Sequence, residues 1–67
     1  MTIKEVGKNI VVDKYAAYVI GFNGNDETEL SAHNIDDLEE LWCSLCEEFG
    51  CAKDSIDYIE LVDSLVA

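Results

Sequence analysis

The chain has 67 residues, enough for one small domain, and its fifteen acidic residues against four basic ones give a formal net charge of −11. The length excludes a multi-domain enzyme, and the charge balance excludes a classical nucleic-acid-binding protein, whose phosphate contacts need lysine and arginine. It also disfavours binding to anionic membranes. The hydrophobic residues make up 49% of the chain, so a packed core can form.

The sequence predicts a single cytoplasmic domain over residues 1–67. The first residues contain no apolar run of the kind a signal peptide needs, and three cysteines are an odd number for a disulfide framework. Residues 26–67 carry thirteen acidic residues against Lys53 alone, whereas residues 1–25 are nearly neutral. A chain so small and so charged is marginally stable alone, which favours a basic partner or a homodimer.

The first third of the chain predicts β-structure. Residues 10–12 and 15–22 are rich in β-branched and aromatic side chains. The following Asn-Gly-Asn-Asp at residues 23–26 is typical of a hairpin turn, because asparagine and glycine tolerate positive φ. Residues 28–32 alternate between apolar and polar. We therefore predict a meander of two or three antiparallel strands.

Residues 34–49 predict an amphipathic helix. Asn34 suits the N-cap, and Gly50 suits the left-handed position after the last turn. One face of this helix is apolar and comprises Ile35, Leu38, Leu41, Trp42, Leu45 and Phe49. The other face is almost entirely anionic and comprises Asp36, Asp37, Glu40, Ser44, Glu47 and Glu48.

Residues 54–66 allow two interpretations. Asp54 or Ser55 could cap a second helix with a broad apolar face, and the adjacent apolar residues at 58–59 and 61–62 fit strict alternation poorly. A C-terminal helix is therefore favoured, with a final strand over residues 56–62 as the alternative. The predicted fold class is α+β, a small antiparallel sheet packed against the amphipathic helix. The predicted core comprises Val12, Tyr18, Ile20, Leu38, Leu41, Trp42, Leu45, Phe49, Ile59 and Val62.

The cysteines raise two chemical alternatives. Trp42-Cys43-Ser44-Leu45-Cys46 resembles the thioredoxin active-site motif, which would imply disulfide exchange. In that family the first cysteine begins a helix, whereas here the pair lies in the middle of one. Zinc would need Cys43, Cys46 and Cys51 together with His33, but the helix between His33 and Cys51 spans more than about 20 Å. We predict no metal site, except as a partial site that a dimer mate completes.

A third resemblance involves Ser55. Asp54-Ser55-Ile56 resembles the start of the second helix in acyl carrier proteins, where the serine carries phosphopantetheine. Those carriers have two further helices after the serine, whereas only twelve residues follow Ser55 here. We therefore predict no cofactor, no catalytic residue and no enzymatic activity.

The acidic surface is the remaining feature, and it predicts a function in protein binding. Carboxylates one helical turn apart are separated by about 6 Å along the axis, so a row of them can imitate a phosphate backbone. We expect a non-enzymatic inhibitor or regulator that occupies the basic site of a nucleic-acid-binding protein, in the manner of viral DNA mimics such as anti-CRISPR proteins. The alternative is an accessory or self-associating structural protein whose acidity serves solubility only. The predicted contact residues are Asp36, Asp37, Glu40, Glu47 and Glu48, flanked by Asp26, Glu27 and Glu29.

Overall fold

The fold is a three-stranded sheet covered on one face by two helices, in a computed structural model that describes residues 1–64. The elements in chain order are α1 (Ile3–Gly7), β1 (Ala16–Phe22), β2 (Asp26–Ala32), α2 (Ile35–Phe49) and β3 (Ile56–Ser64). The sheet is antiparallel, with strand order β2-β1-β3. The predicted α+β class is confirmed.

The C-terminal element is a strand, so the favoured helix over residues 54–66 is wrong and the alternative is correct (residues 65 and 66 lie outside the described part). Two β-bulges in β3 interrupt the alternation of apolar and polar residues by which a strand is recognised in a sequence. Leu61 and Asp63 pair with consecutive residues of β1, which leaves Val62 as an extra residue, and Asp57 is extra in the same way. Tyr58 and Ile59 are both apolar but point to opposite faces of the sheet.

The hairpin between β1 and β2 forms as predicted. Asn23 and Gly24 both have positive φ, 53° and 80°, as a tight turn of this hand requires. The bulged residue Asp57 closes this turn from the neighbouring strand, because its carboxylate accepts a hydrogen bond of 2.7 Å from the Gly24 N–H. The bulge that disturbs the sequence pattern thus orders the end of the sheet.

The N-terminus differs from the predicted β-structure. Residues 3–7 form α1, and a capping box begins it: the Glu5 N–H donates to the Thr2 hydroxyl and the Thr2 N–H donates to the Glu5 carboxylate. Residues 10–12 lie outside the regular elements and are half-buried. The Val12 N–H donates to the hydroxyl of the buried Tyr18 at 2.9 Å, so this segment satisfies a core tyrosine instead of extending the sheet.

Helix α2 has the predicted ends. The Asn34 side chain accepts a hydrogen bond from the Asp37 N–H at 2.8 Å, and Gly50 adopts φ 73° after the last turn. The helix packs on the sheet through the fully buried Leu38 and Trp42. The Trp42 ring meets Phe22 edge-on, and its Nε1–H donates to the Lys53 carbonyl at 3.0 Å.

The core agrees with the predicted one only in part. Tyr18, Ile20, Leu38, Trp42 and Ile59 are buried, and Val12 and Leu45 are half-buried at its margin. Three predicted core residues are instead exposed: Leu41, Phe49 and Val62. Leu41 lies on the flank of α2, Phe49 is the last residue of the helix, and Val62 is the extra residue of a bulge. The predicted core also lacks seven hydrophobic residues that are buried: Ile3, Ala16, Ala17, Phe22, Ala32, Cys46 and Ile56.

Candidate protein-docking surfaces

The carboxylates of this protein point outwards. No charged residue is buried among the described residues. Of the eight residues predicted to contact a partner, seven are exposed and Asp37 is half-buried. The side chains that could meet a cationic partner are therefore accessible without any rearrangement of the fold.

Five of the eight lie along the solvent side of α2, and we call them the helix acidic face: Asp36, Asp37, Glu40, Glu47 and Glu48. Asp36, Glu40 and Glu47 follow one line along the helix, while Asp37 and Glu48 follow a second line beside it. Both lines extend over eleven residues, which corresponds to about 16 Å of helix. The arrangement is a straight double row of carboxylates opposite the buried side of the helix.

Two lysines contact the carboxylates of α2 among residues 1–64. Lys4 lies 3.3 Å from Asp36 and 3.7 Å from Glu39, and Lys53 lies 3.9 Å from Glu47. The hydrogen bond with Asp36, followed by the charge of Glu39, raises the pKa of Lys4. Both lysine side chains are 57% exposed, so water screens these pairs. In the described part of the chain, no ion pair involves Glu40 or Glu48.

Asp37 differs from its neighbours because the chain itself holds its carboxylate. The His33 N–H donates to Asp37 Oδ2 at 3.0 Å, and His33 Nδ1 lies 3.4 Å from the same oxygen. This backbone hydrogen bond, helped by the imidazole, lowers the pKa of Asp37. His33, the single histidine, thus supports the start of α2. Asp37 combines a capping role with its place on the helix acidic face.

A second group of carboxylates lies on the face of the sheet that no described element covers. Register pairing places Glu29 and Glu60 on either side of Val19, Glu27 beside Gly21, and Asp63 beside Ala17. Residues paired across strands share a face, and the neighbouring residues Tyr18 and Ile20 point to the core. We call Glu27, Glu29, Glu60 and Asp63 the sheet acidic face.

The predicted contact residues therefore do not form one surface. Glu27 and Glu29 belong to the sheet acidic face, on the opposite layer from α2. Asp26 pairs with Phe22 at the hairpin end and belongs to neither face. The alternation of side chains along β2 already predicts that Glu27 and Glu29 share one face of the strand. Only the packing of α2 on the other side of the sheet shows that they point away from the helix acidic face.

The predicted contact residues leave out two members of the sheet acidic face and Glu39, which lies beside the helix acidic face. The predicted helix over residues 54–66 does not place Glu60 and Asp63 on a sheet face, although Glu60 follows the core residue Ile59 as an alternating strand requires. Glu39 was missed because it lies between the apolar and anionic sides of α2, where it is half-buried and contacts Lys4. The sequence feature that could have identified Glu39 is its spacing of three residues from Asp36, which places both residues on the same side of the helix.

The remaining candidate residues do not converge on one site. Within residues 1–64, no three histidine, cysteine or acidic side chains are grouped as a metal ion requires. Ser55 precedes a strand, and its hydroxyl donates to the Ala52 carbonyl at 2.6 Å, so the helix start that the carrier resemblance implies is absent from this position. Cys43 and Cys46 lie within α2 with about two turns before them, as predicted, so neither begins the helix.

Comparisons with known proteins give no relative: no family model, curated protein or solved structure significantly matches this chain. In the part of the chain that the structure describes, α2 is the longest helix at 15 residues, and none is long and apolar enough to cross a membrane.

Proposed function

We propose that this protein is a non-enzymatic inhibitor or regulator that binds a basic, nucleic-acid-binding protein through the helix acidic face. Its carboxylates take the place of phosphates in the partner's site. The observation that carries the proposal is the double row of outward carboxylates on α2, of which Glu40 and Glu48 have no cation beside them within residues 1–64.

The geometry of α2 supports this use. A single helix fixes the backbone positions of the five residues, so little conformational entropy is lost on binding beyond that of the side chains. Arginine and lysine side chains that normally hold phosphates make charge-assisted hydrogen bonds to carboxylates of the same kind. The side of α2 that carries them is convex, as a ligand for a cleft needs.

The existing ion pairs are weak obstacles. Water screens exposed pairs of this kind, so a partner can displace Lys4 and Lys53 at small cost. Both lysines also lie at the ends of the rows, beside Asp36 and Glu47. The middle of the helix acidic face is open to a partner.

The net charge adds a long-range effect. At −11, the chain attracts a cationic surface before contact, which speeds association and makes it sensitive to salt. The sheet acidic face contributes to this attraction from the other layer. Direct contact therefore depends on the helix acidic face, whereas long-range attraction depends on the net charge of both faces. Variants of each face can distinguish the two effects.

Two triple variants test the proposal because they change the charge equally on opposite layers. Glu40→Lys, Glu47→Lys and Glu48→Lys reverse the helix acidic face, and Glu29→Lys, Glu60→Lys and Asp63→Lys reverse the sheet acidic face. Immobilised wild-type protein first captures its partner from a lysate of the source cells, for identification by mass spectrometry. The affinity of the purified partner is then measured for wild type and both variants, with circular dichroism as the folding control.

We expect the helix variant to lose about 100-fold or more in affinity, because like charges placed against a cationic site cost several kcal/mol. The sheet variant should bind more slowly but retain most of its affinity. Nucleic acid should compete with wild-type protein for the partner. Equal binding by wild type and the helix variant, or a partner that holds nucleic acid and this protein together, would refute the proposal.

Self-association is a second candidate, favoured by exposed apolar side chains on an edge strand. Leu61 and Val62 of β3 are 45% and 52% exposed, and within residues 1–64 β3 has a partner strand on one side only. Unpaired edges of this kind can join two copies. Light scattering at low and high salt tests this: a dimer that persists in both, and that Val62→Lys converts to a monomer, would support the structural role.

A further inference from the structure

We propose that Cys46 and Cys51 are a thiol pair that an oxidant of the peroxide class converts into an intramolecular disulfide, with Cys43 left as a free thiol. All three cysteines are unpaired thiols in the structure. The proposed pair is distinct from the Cys43–Cys46 motif in α2, because it joins the last turn of the helix to the chain that leaves it.

The end of α2 brings the two cysteines together. Gly50 has a left-handed φ of 73°, which turns the chain back over the helix. The N–H groups of Gly50 and Cys51 both donate to the Cys46 carbonyl, at 2.7 and 3.0 Å. A hydrogen bond from an N–H group to the carbonyl five residues earlier, here from Cys51 to Cys46, is the signature of a Schellman helix end. The side chains of these two residues commonly pack together in that motif. Here both positions carry sulfur.

The two thiols differ in their exposure to solvent. Cys46 is only 2% exposed, whereas Cys51 is half-buried and packs at the margin of the core. Burial, reinforced by the neighbouring Cys51 and Cys43, raises the pKa of the Cys46 thiol. Cys51 is therefore the sulfur that a small oxidant can reach, and Cys46 is placed to react with the product.

Cys43 is less well placed, although it is nearer in sequence. Cys43 and Cys46 are separated by about 60° around the helix axis. Side chains on a helix lean in parallel towards its N-terminus, so their Cβ atoms do not converge as a disulfide requires. The chain reversal at Gly50 has no such constraint, because Cys51 lies outside the helix.

The oxidation balances in two steps. The Cys51 thiolate attacks the peroxide, an S–O bond forms, the O–O bond breaks, and the leaving hydroxide takes up a proton to give water. The sulfur of Cys46 then attacks the resulting sulfenic acid, forming the S–S bond and breaking the S–O bond. The oxygen leaves as a second water with the Cys46 proton. Two thiols lose two electrons and one peroxide gains them.

Peptide mapping after treatment with hydrogen peroxide tests the assignment. A protease that cleaves after glutamate cuts at Glu47 and Glu48, between Cys46 and Cys51, whereas no glutamate separates Cys43 from Cys46. Free thiols of the intact full-length protein are alkylated before digestion, and Cys43→Ser and Cys51→Ser are treated in parallel. The more exposed Cys51 is chosen for substitution because its serine variant leaves the buried Cys46 unchanged.

We expect the wild-type monomer to lose two hydrogens, to keep one alkylated cysteine, Cys43, and to yield peptides 41–47 and 49–60 joined by a disulfide. Cys43→Ser should give the same joined peptides, and Cys51→Ser should not. A link confined to peptide 41–47, joined peptides that disappear in Cys43→Ser, or a linked dimer would overturn the assignment. So would three free thiols after the same peroxide has oxidised a small dithiol added as a control.

Discussion

The ring of Tyr58 fills the space over Gly21 in which a side chain at position 21 would begin. The two residues are register partners on β3 and β1, on the face of the sheet opposite the helices. Glu27 of β2 pairs with Gly21 from the other side, and the interaction of the Tyr58 hydroxyl with that carboxylate raises the pKa of Tyr58. One aromatic ring therefore connects all three strands, and glycine is needed beneath it for close approach.

This contact predicts a strong dependence between positions 21 and 58. Gly21→Ala should destabilise the wild-type protein by about 1–3 kcal/mol, because the new methyl group displaces the ring. In a Tyr58→Ala background the same change should be neutral or stabilising by about 0.5–1 kcal/mol, since alanine is ordinarily better than glycine inside a strand. Urea denaturation of wild type, Gly21→Ala, Tyr58→Ala and the double variant measures the free energy of coupling between the two positions. An equal cost in both backgrounds would show that the ring does not occupy this space.

Neighbouring residues on α2 should respond very differently to truncation. Trp42 is 1% exposed and Leu41 is 38% exposed. Trp42→Ala should cost about 3–5 kcal/mol and unfold much of the protein, whereas Leu41→Ala should change stability by less than about 1 kcal/mol. Trp42→Phe, which keeps much of the packing but loses the bond to the Lys53 carbonyl, should fall between them. Thermal melts provide the ranking, and a larger loss for Leu41→Ala would contradict the packing of α2.

The carboxylate of Asp37 should titrate below its ordinary value of 3.8, because the His33 N–H donates to it. A group whose pKa is lower in the folded state stabilises the fold above the unfolded pKa. That stabilisation is lost as the pH falls through the folded pKa. NMR titration of the side chain measures the shift directly. His33→Ala should retain most of the shift, because the backbone donor remains; a return to 3.8 would assign the effect to the imidazole.

Salt should act on stability and on partner binding with opposite signs. The isolated protein should melt at a higher temperature as salt increases, because screening reduces the repulsion of a chain with net charge −11. The affinity for a basic partner should fall over the same range. Melting curves and titrations in matched buffers test both statements. A melting temperature that falls with added sodium chloride would show that repulsion does not limit stability.

Local signals were sufficient to predict half of this fold. The hairpin was predictable because Asn23 and Gly24 suit its left-handed turn, and α2 was predictable because Asn34 and Gly50 mark its ends. The C-terminal strand was not, because bulges at two positions interrupt the alternation by which strands are recognised. Those bulges depend on pairing with β1, which is distant in sequence.

The acidic residues show the same limit. The five carboxylates of the helix acidic face were predictable as a group because they share one helix and one period. Glu29 and Glu60 lie on either side of Val19 although 31 positions separate them in the chain. Only the strand order β2-β1-β3 brings them to one face, so no local pattern could predict the sheet acidic face.

The most direct test of the docking function is competition for the partner's nucleic-acid site. Labelled nucleic acid is bound to the purified partner and displaced by wild-type protein, by the helix-face triple variant or by the sheet-face triple variant. The proposal predicts complete displacement by wild type and displacement at somewhat higher concentration by the sheet variant, whereas the helix variant should need about 100-fold more protein or fail to displace the nucleic acid. Displacement by the helix variant at the wild-type concentration would contradict it.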